Sequence, residues 1–163
     1  MKIWLDQSLE KQKTFQQRMF NMEIEAILKK DGKFWIVEIP ALDAMTQGKT
    51  RKDALFMLED LIKEMIFTYF PDMSQKFKIF LTDRKENIIG ISSNDNRLML
   101  ALSLRKQREK SGLTVRQASR KLGSDFPNAY AQYERGKTRI SLDKYEALLY
   151  AANPNTQLHL RIS

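Results

Sequence analysis

Apolar residues change their spacing across "SSNDN", residues 92–96, and this change restricts the fold more than any other feature of the chain. Before it, Met22, Ile24, Ala26 and Leu28 fall on alternate positions, the spacing that lines one face of a strand. After it, apolar residues recur with the period of a helix face. Small polar turn formers separate the two patterns, so the chain reads as α+β in two halves. Residues 22–94 form a small sheet covered by a helix, residues 95–163 form an all-α unit, and residues 1–21 are an N-terminal extension with no assigned role. A length of 163 residues accommodates two such small modules.

In the first half, "MEIEAILKKDGKFWIVEI" reaches Asp31-Gly32 between two β-rich runs. Asp-Gly in that setting predicts a hairpin whose two central residues both take positive φ. Pro40 ends the second strand and "AMTQ" adds a short third one. Thr50, with Asp53 three residues on, predicts a capped helix start. Ala54, Leu55, Leu58, Leu61, Ile62, Met65, Ile66 and Tyr69 then follow helical spacing, and Pro71 stops the run. "KFKIFL" and "NIIGI" flank a polar turn and read as one more strand or a hairpin, for an order β-β-β-α-β. The aromatic and methionine side chains of this half are expected in its core.

In the second half, Leu98 to Ser111 reads as a helix ended by Gly112, and Thr114 caps another that closes at Gly123. Asp125 to Glu134 reads as a third short helix, broken by Gly136, and Ser141 opens a fourth that contains Leu142, Tyr145, Leu148 and Leu149. The closing "QLHLRI" has the alternation of a short terminal strand.

Charge separates the halves as sharply as periodicity does. The chain carries a net charge of +8, and from Arg97 onward thirteen Lys/Arg stand against five acids, so the whole excess lies in the last third. Clustered cations predict a polyanion partner for that part. With no cysteine, disulfides and thiolate chemistry are excluded, and the single histidine, His159, leaves no histidine cluster for a metal. No cofactor, metal or catalytic residue is expected. No apolar run has the length of a membrane span and no secretory signal opens the chain, so a cytoplasmic address is expected.

Two short helices joined through a glycine turn, the second free to dock, are the parts of a helix-turn-helix. Ala118 and Ser119 supply the small residues such helices need where they touch. On the following helix Tyr130 and Tyr133 fall on inward spacing, which leaves Asn128, Ala129 and Gln132 facing out as base-reading candidates. An Asn or Gln amide donates and accepts together against adenine in the major groove. Arg135, Lys137, Thr138 and Arg139, with Arg116, are candidates for phosphate contacts, which set the docking register without reading sequence.

The stretches "LRKQREKSGLTVRQASRKLG" and "YAQYERGKTRISLDKYEALLYA" resemble the Xre/Cro-type repressor domain, with Gly-Leu-Thr, Tyr-Glu-x-Gly-Lys and Ser-Leu elements in order. That resemblance implies an ion pair between Arg108 and Glu134, and base contacts from Gln132 and Asn128. "GSDFPNAY" departs from it by about one extra residue, and Pro127 stands at the start of the reading helix. The stretches "IEAILKKDGKFWIVEIPAL" and "TQGKTRKDALFMLEDLIKEMI" resemble the HicB antitoxin domain, which implies a partial RNase H-like fold and a HicA-type toxin partner, a small mRNA-cleaving protein. Together the two resemblances imply an antitoxin that neutralises its toxin and represses its own operon as a homodimer or higher even oligomer on operator DNA. Glu59, Asp60 and Glu64 are the candidates for steering a basic toxin. The rival expectation is a ligand-sensing Xre-type transcription regulator without a toxin. A nuclease would need converging carboxylates, and Glu25, Glu38, Asp53 and Glu59 show no such spacing.

Overall fold

A computed structural model describes residues 22–159. Five antiparallel strands, β1 (Ile24–Asp31), β2 (Phe34–Ile39), β3 (Ala44–Gly48), β4 (Ile79–Asp83) and β5 (Ile88–Ser93), lie in the order β3-β2-β1-β5-β4. Helix α1 (Arg51–Tyr69) joins β3 at one edge to β4 at the other. Four helices follow: α2 (Asn96–Lys110), α3 (Val115–Lys121), α4 (Asn128–Glu134) and α5 (Leu142–Ala152).

The first hairpin forms, with its turn one residue later than expected. Asp31 still pairs with Phe34, so the two central residues are Gly32 and Lys33. Gly32 takes φ +54° and Lys33 is not in the left-handed region, which matches turns that need glycine only at the first central position. Of the two expectations after α1, one strand or a hairpin, the hairpin forms: β4 pairs with β5 and β5 with β1, so the order β-β-β-α-β gains a fifth strand.

Ala26, Leu28, Val37, Ile39, Ile89 and Ile91 fill the covered face of the sheet. Against them α1 sets Ala54, Leu58, Ile62 and Ile66, each one turn after the last. Its start is a full capping box: the Thr50 hydroxyl accepts from the Asp53 N–H at 3.1 Å, and the Asp53 carboxylate accepts from the Thr50 N–H at 3.2 Å. The core expectation fails for Met45, Phe56, Met57 and Phe67, which are exposed. The last three sit on the side of α1 turned away from the sheet, where helical spacing leaves a side chain nothing to pack on.

Packing runs straight across residues 92–96. Leu98, Met99, Ala101 and Leu102 of α2 belong to the core of the sheet, whereas Leu104 belongs to a second core with Ala118, Tyr130, Tyr145, Leu148, Leu149 and Ala152. One helix therefore serves both cores. Polar bonds fix it: the buried Gln107 amide donates to the carbonyls of Pro40 at 2.8 Å and Ala41 at 3.1 Å, and accepts from Asn153 at 2.9 Å and Thr156 at 3.0 Å. Ser103 donates to the Ala41 carbonyl at 2.9 Å, and Lys110 meets Asp43 at 3.1 Å.

The third helix of the second half starts at Asn128, not at Asp125. The Phe126 N–H donates to Ser124 Oγ, and Phe126 precedes a proline, which disfavours helical backbone. Of the expected terminal strand "QLHLRI", residues 157–162, only 157–159 are described, and these are exposed. Asn153 and Thr156 tie the preceding turn back to Gln107. Residues 160–163 and the N-terminal extension, 1–21, lie outside the described residues.

Candidate nucleic-acid interface

Arg108 stands in the last turn of α2 and Glu134 at the end of α4, twenty-six positions apart, and they meet in a two-toothed fork. Arg108 Nε donates to Glu134 Oε1 at 2.7 Å and Nη2 donates to Oε2 at 2.9 Å. The remaining arm, Nη1, donates to the Leu113 carbonyl at 2.8 Å, so the guanidinium also holds the turn between α2 and α3. The side chains are only 11% and 7% exposed, and a pair so removed from water survives because both charges are fully bonded. Its hydrogen bonds to the Glu134 carboxylate hold the guanidinium above its ordinary pKa. Next to it, burial first and the Glu134 carboxylate second push the Tyr130 phenol well above its ordinary range, so the ring stays neutral.

Around this fork the short helices pack through small residues. Ala118 and Ser119 are buried on α3, and the Ser119 hydroxyl donates to the Phe126 carbonyl at 2.6 Å, which pins the chain entering α4. Helix α3 opens with its own capping box between Thr114 and Gln117, where the sequence alone indicated only the threonine cap. Tyr130 is buried and Tyr133 half-buried, with the Lys144 ammonium 5.4 Å over the Tyr133 ring. Asn128 and Gln132 are exposed on the opposite side and Ala129 is half-buried.

Geometry sorts the basic excess into two groups. All five cations of α2 are engaged: Arg97 with Asp95, Arg105 and Lys106 with Glu109, Arg108 with Glu134, and Lys110 with Asp43. Arg116, Arg135, Lys137 and Arg139 are exposed and have no acidic partner among the described residues, and Thr138 among them is half-buried. These are the cations that the sequence assigned to phosphate; Arg135, Lys137 and Arg139 follow the end of α4, and Arg116 stands in the first turn of α3.

On α1 the three acids proposed for steering do not act alike. Glu59 is paired with Lys63. Asp60 and Glu64 are exposed, one turn apart, and have no cation partner among the described residues. Beside them Phe56 and Phe67 are 67% and 65% exposed, a pair absent from the sequence-based candidates. The signal was present: both fall outside the stripe of Leu58, Ile62 and Ile66, and a phenylalanine outside the buried stripe of a helix has solvent or a partner for company. Among the described residues no group of three or more acids or histidines is arranged to hold a metal ion, and no helix is long and apolar enough to cross a membrane.

Residues 100–153, from α2 to the end of α5, match the family model described as a helix-turn-helix domain. No curated protein and no solved structure matches the chain. The second half thus carries a helix-turn-helix domain, the mark of a DNA-binding transcription regulator.

Proposed function

We propose that this chain is a HicB-like antitoxin, with a DNA-reading half that represses its own operon and a sheet half that neutralises a basic HicA-type toxin. The observation that carries the DNA half is the presentation of α4. A buried fork holds its end, its amide side chains face solvent, the exposed cations 135, 137 and 139 follow it directly, and Arg116 is exposed on the preceding helix. In this reading Gln132 and Asn128 contact base edges, with Ala129 close to the groove, while Arg116, Arg135, Lys137, Thr138 and Arg139 meet phosphates. Two copies reading paired half-sites about one helical turn apart make the working unit a homodimer or a higher even oligomer.

Support for the toxin half comes from the outer side of α1. Two like carboxylates one turn apart, Asp60 and Glu64, repel each other unless a cation relieves them, and two exposed phenylalanines frame them. A basic protein with apolar recesses satisfies both. We read the five-stranded sheet backed by one helix as the partial RNase H-like scaffold that presents this face.

The test pairs two substitutions on a promoter duplex and a scrambled duplex. Gln132→Ala is expected to lose about 1–3 kcal/mol of preference between the duplexes, and Arg139→Ala to weaken both equally and flatten the salt dependence. Equal loss on both duplexes from Gln132→Ala removes the base-reading role. Co-purification with the product of the adjacent gene, followed by an RNA-cleavage assay with and without this chain, tests the toxin half; promoter binding with no such partner favours a ligand-sensing regulator.

A further inference from the structure

The loop that follows α4 does not lie on the helical half alone. Gly136, between the exposed Arg135 and Lys137, is buried at φ +68°, and a β-carbon there would stand 2.7 Å from Leu98 Cδ2 and 3.4 Å from the Phe70 ring. Phe70 closes the end of α1, where its N–H donates to the Ile66 carbonyl at 2.8 Å, and it is buried in the core of the sheet. Leu98 comes from the first turn of α2 and belongs to that same core. Tyr69, next to Phe70 in the chain, lies under the Arg105 guanidinium, which is 4.2 Å from the ring centre. The backbone between two free cations is therefore seated on side chains of the sheet half, and only glycine lets it come so close.

We propose that Phe70 is a positioning residue for DNA binding: its ring is the floor that holds loop 135–139 at the height where Arg135, Lys137 and Arg139 reach the phosphates. This rests on the DNA-binding proposal above and adds to it that the sheet half helps build the phosphate grip. A side chain on a flexible loop contributes little to a salt-dependent contact unless the backbone beneath it is fixed, because ordering the loop on binding takes up the energy gained. Truncating Phe70 opens a space below Gly136, and the loop has room to relax into it.

The experiment measures binding of the full chain to a duplex from its own promoter region and to a scrambled duplex of equal length, across a series of salt concentrations. Phe70→Ala is expected to make the slope of log affinity against log salt shallower by about one to two, the share of one or two phosphate contacts, while the preference between duplexes stays unchanged. Phe70→Leu, which keeps an apolar floor, restores most of the slope. Leu28→Ala is the control: it damages the same core away from the loop and leaves the slope as in the parent. Should Phe70→Ala fail to fold, Gly136→Ala, whose β-carbon would meet Leu98 Cδ2 first and the Phe70 ring next, displaces the loop from this floor and is expected to give the same shallower slope. Parental slopes in both Phe70→Ala and Gly136→Ala, or an equal loss in Leu28→Ala, overturn the inference. A parent chain that shows no preference between the duplexes overturns the DNA reading itself, a different result from a sequence-selective parent whose Phe70→Ala variant matches it.

Discussion

Around β1 the core is apolar to its centre, with Ala26, Leu28, Val37, Ile89 and Ile91 against the Leu58, Ile62 and Ile66 stripe of α1. Between α2 and α5 the buried interior is narrower and holds an ion pair, an amide and two phenols: Arg108 with Glu134, Gln107, Tyr130 and Tyr145. Apolar burial has no direction and tolerates small shifts, whereas a forked ion pair or a four-bonded amide admits one geometry. The difference teaches where position matters. A sheet backed by a helix needs only to stay shut, but a helix that reads bases must be held to a fraction of an ångström.

The largest effect that would break this comparison is at the fork. Arg108→Ala leaves Glu134 buried and uncompensated and is expected to lower stability by about 3–5 kcal/mol, measured by urea unfolding. A double variant, Arg108→Met with Glu134→Leu, is expected to recover most of that stability and still lose preference between promoter and scrambled duplex. If the apolar pair keeps that preference, directional fixing is not what the fork supplies.

Next in size is Gln107→Leu. It strips the carbonyls of Pro40 and Ala41 and the side chains of Asn153 and Thr156 of a partner, for a loss of about 1–3 kcal/mol. Unfolding followed on Trp35 in a Trp4→Phe background and, separately, on a tryptophan placed at the exposed Tyr150 of α5 with Trp4 and Trp35 both replaced by Phe should show the two halves separating, since this amide ties both to α2. A single coincident transition at parental stability would show the amide to be dispensable.

A smaller effect near neutrality becomes visible in alkali. Burial raises the phenol pKa values of both Tyr130 and Tyr145. The unfolded phenols ionise near the ordinary value of 10.0 and the folded ones only above it, so their contribution is complete below about pH 10 and is lost as pH rises further. Both rings lie in the helical half, and among the described residues the sheet half buries no tyrosine. A tryptophan placed at the exposed Tyr150 of α5 should therefore report melting earlier than Trp35 does in a Trp4→Phe background as pH climbs past about 10, and Tyr145→Phe should narrow the gap. Equal alkaline sensitivity of the two signals would contradict it.

The smallest expected change sharpens the contrast from the other side. Leu58→Met, a volume-conserving swap in the apolar core, should lower stability by less than about 1.5 kcal/mol and leave DNA preference untouched. A loss as large as that from Gln107→Leu would mean that the sheet half is as geometrically demanding as the helical one.

Much of the framework was legible because its signals are local. The capping box at Thr50, the stripe of α1, the helix stops at Gly112 and Gly123 and the hairpin each depend on residues within a turn or two of one another. The fork was legible only through the resemblance to repressor domains, since spacing cannot relate Arg108 to Glu134. Alternation in "QLHLRI" states a preference for extended backbone and says nothing about whether a partner edge lies within reach. The sequence left one strand or a hairpin open after α1 because β4 becomes a strand by pairing with β5, and its own residues, all partly exposed but for the exposed Asp83, give a weak pattern.

What the sequence determined by itself is the division into a β-patterned and a helical half, the placing of the positive charge in the second, and the face of α4 that carries Asn128 and Gln132. These follow from backbone period, cap chemistry and composition, which act over short separations. Only the tertiary structure decided that α2 is shared by both cores, which cations are already paired and which are free, and that Phe70 lies beneath Gly136. Those facts depend on residues tens of positions apart meeting in space, and where they meet is set by the packing of the whole chain.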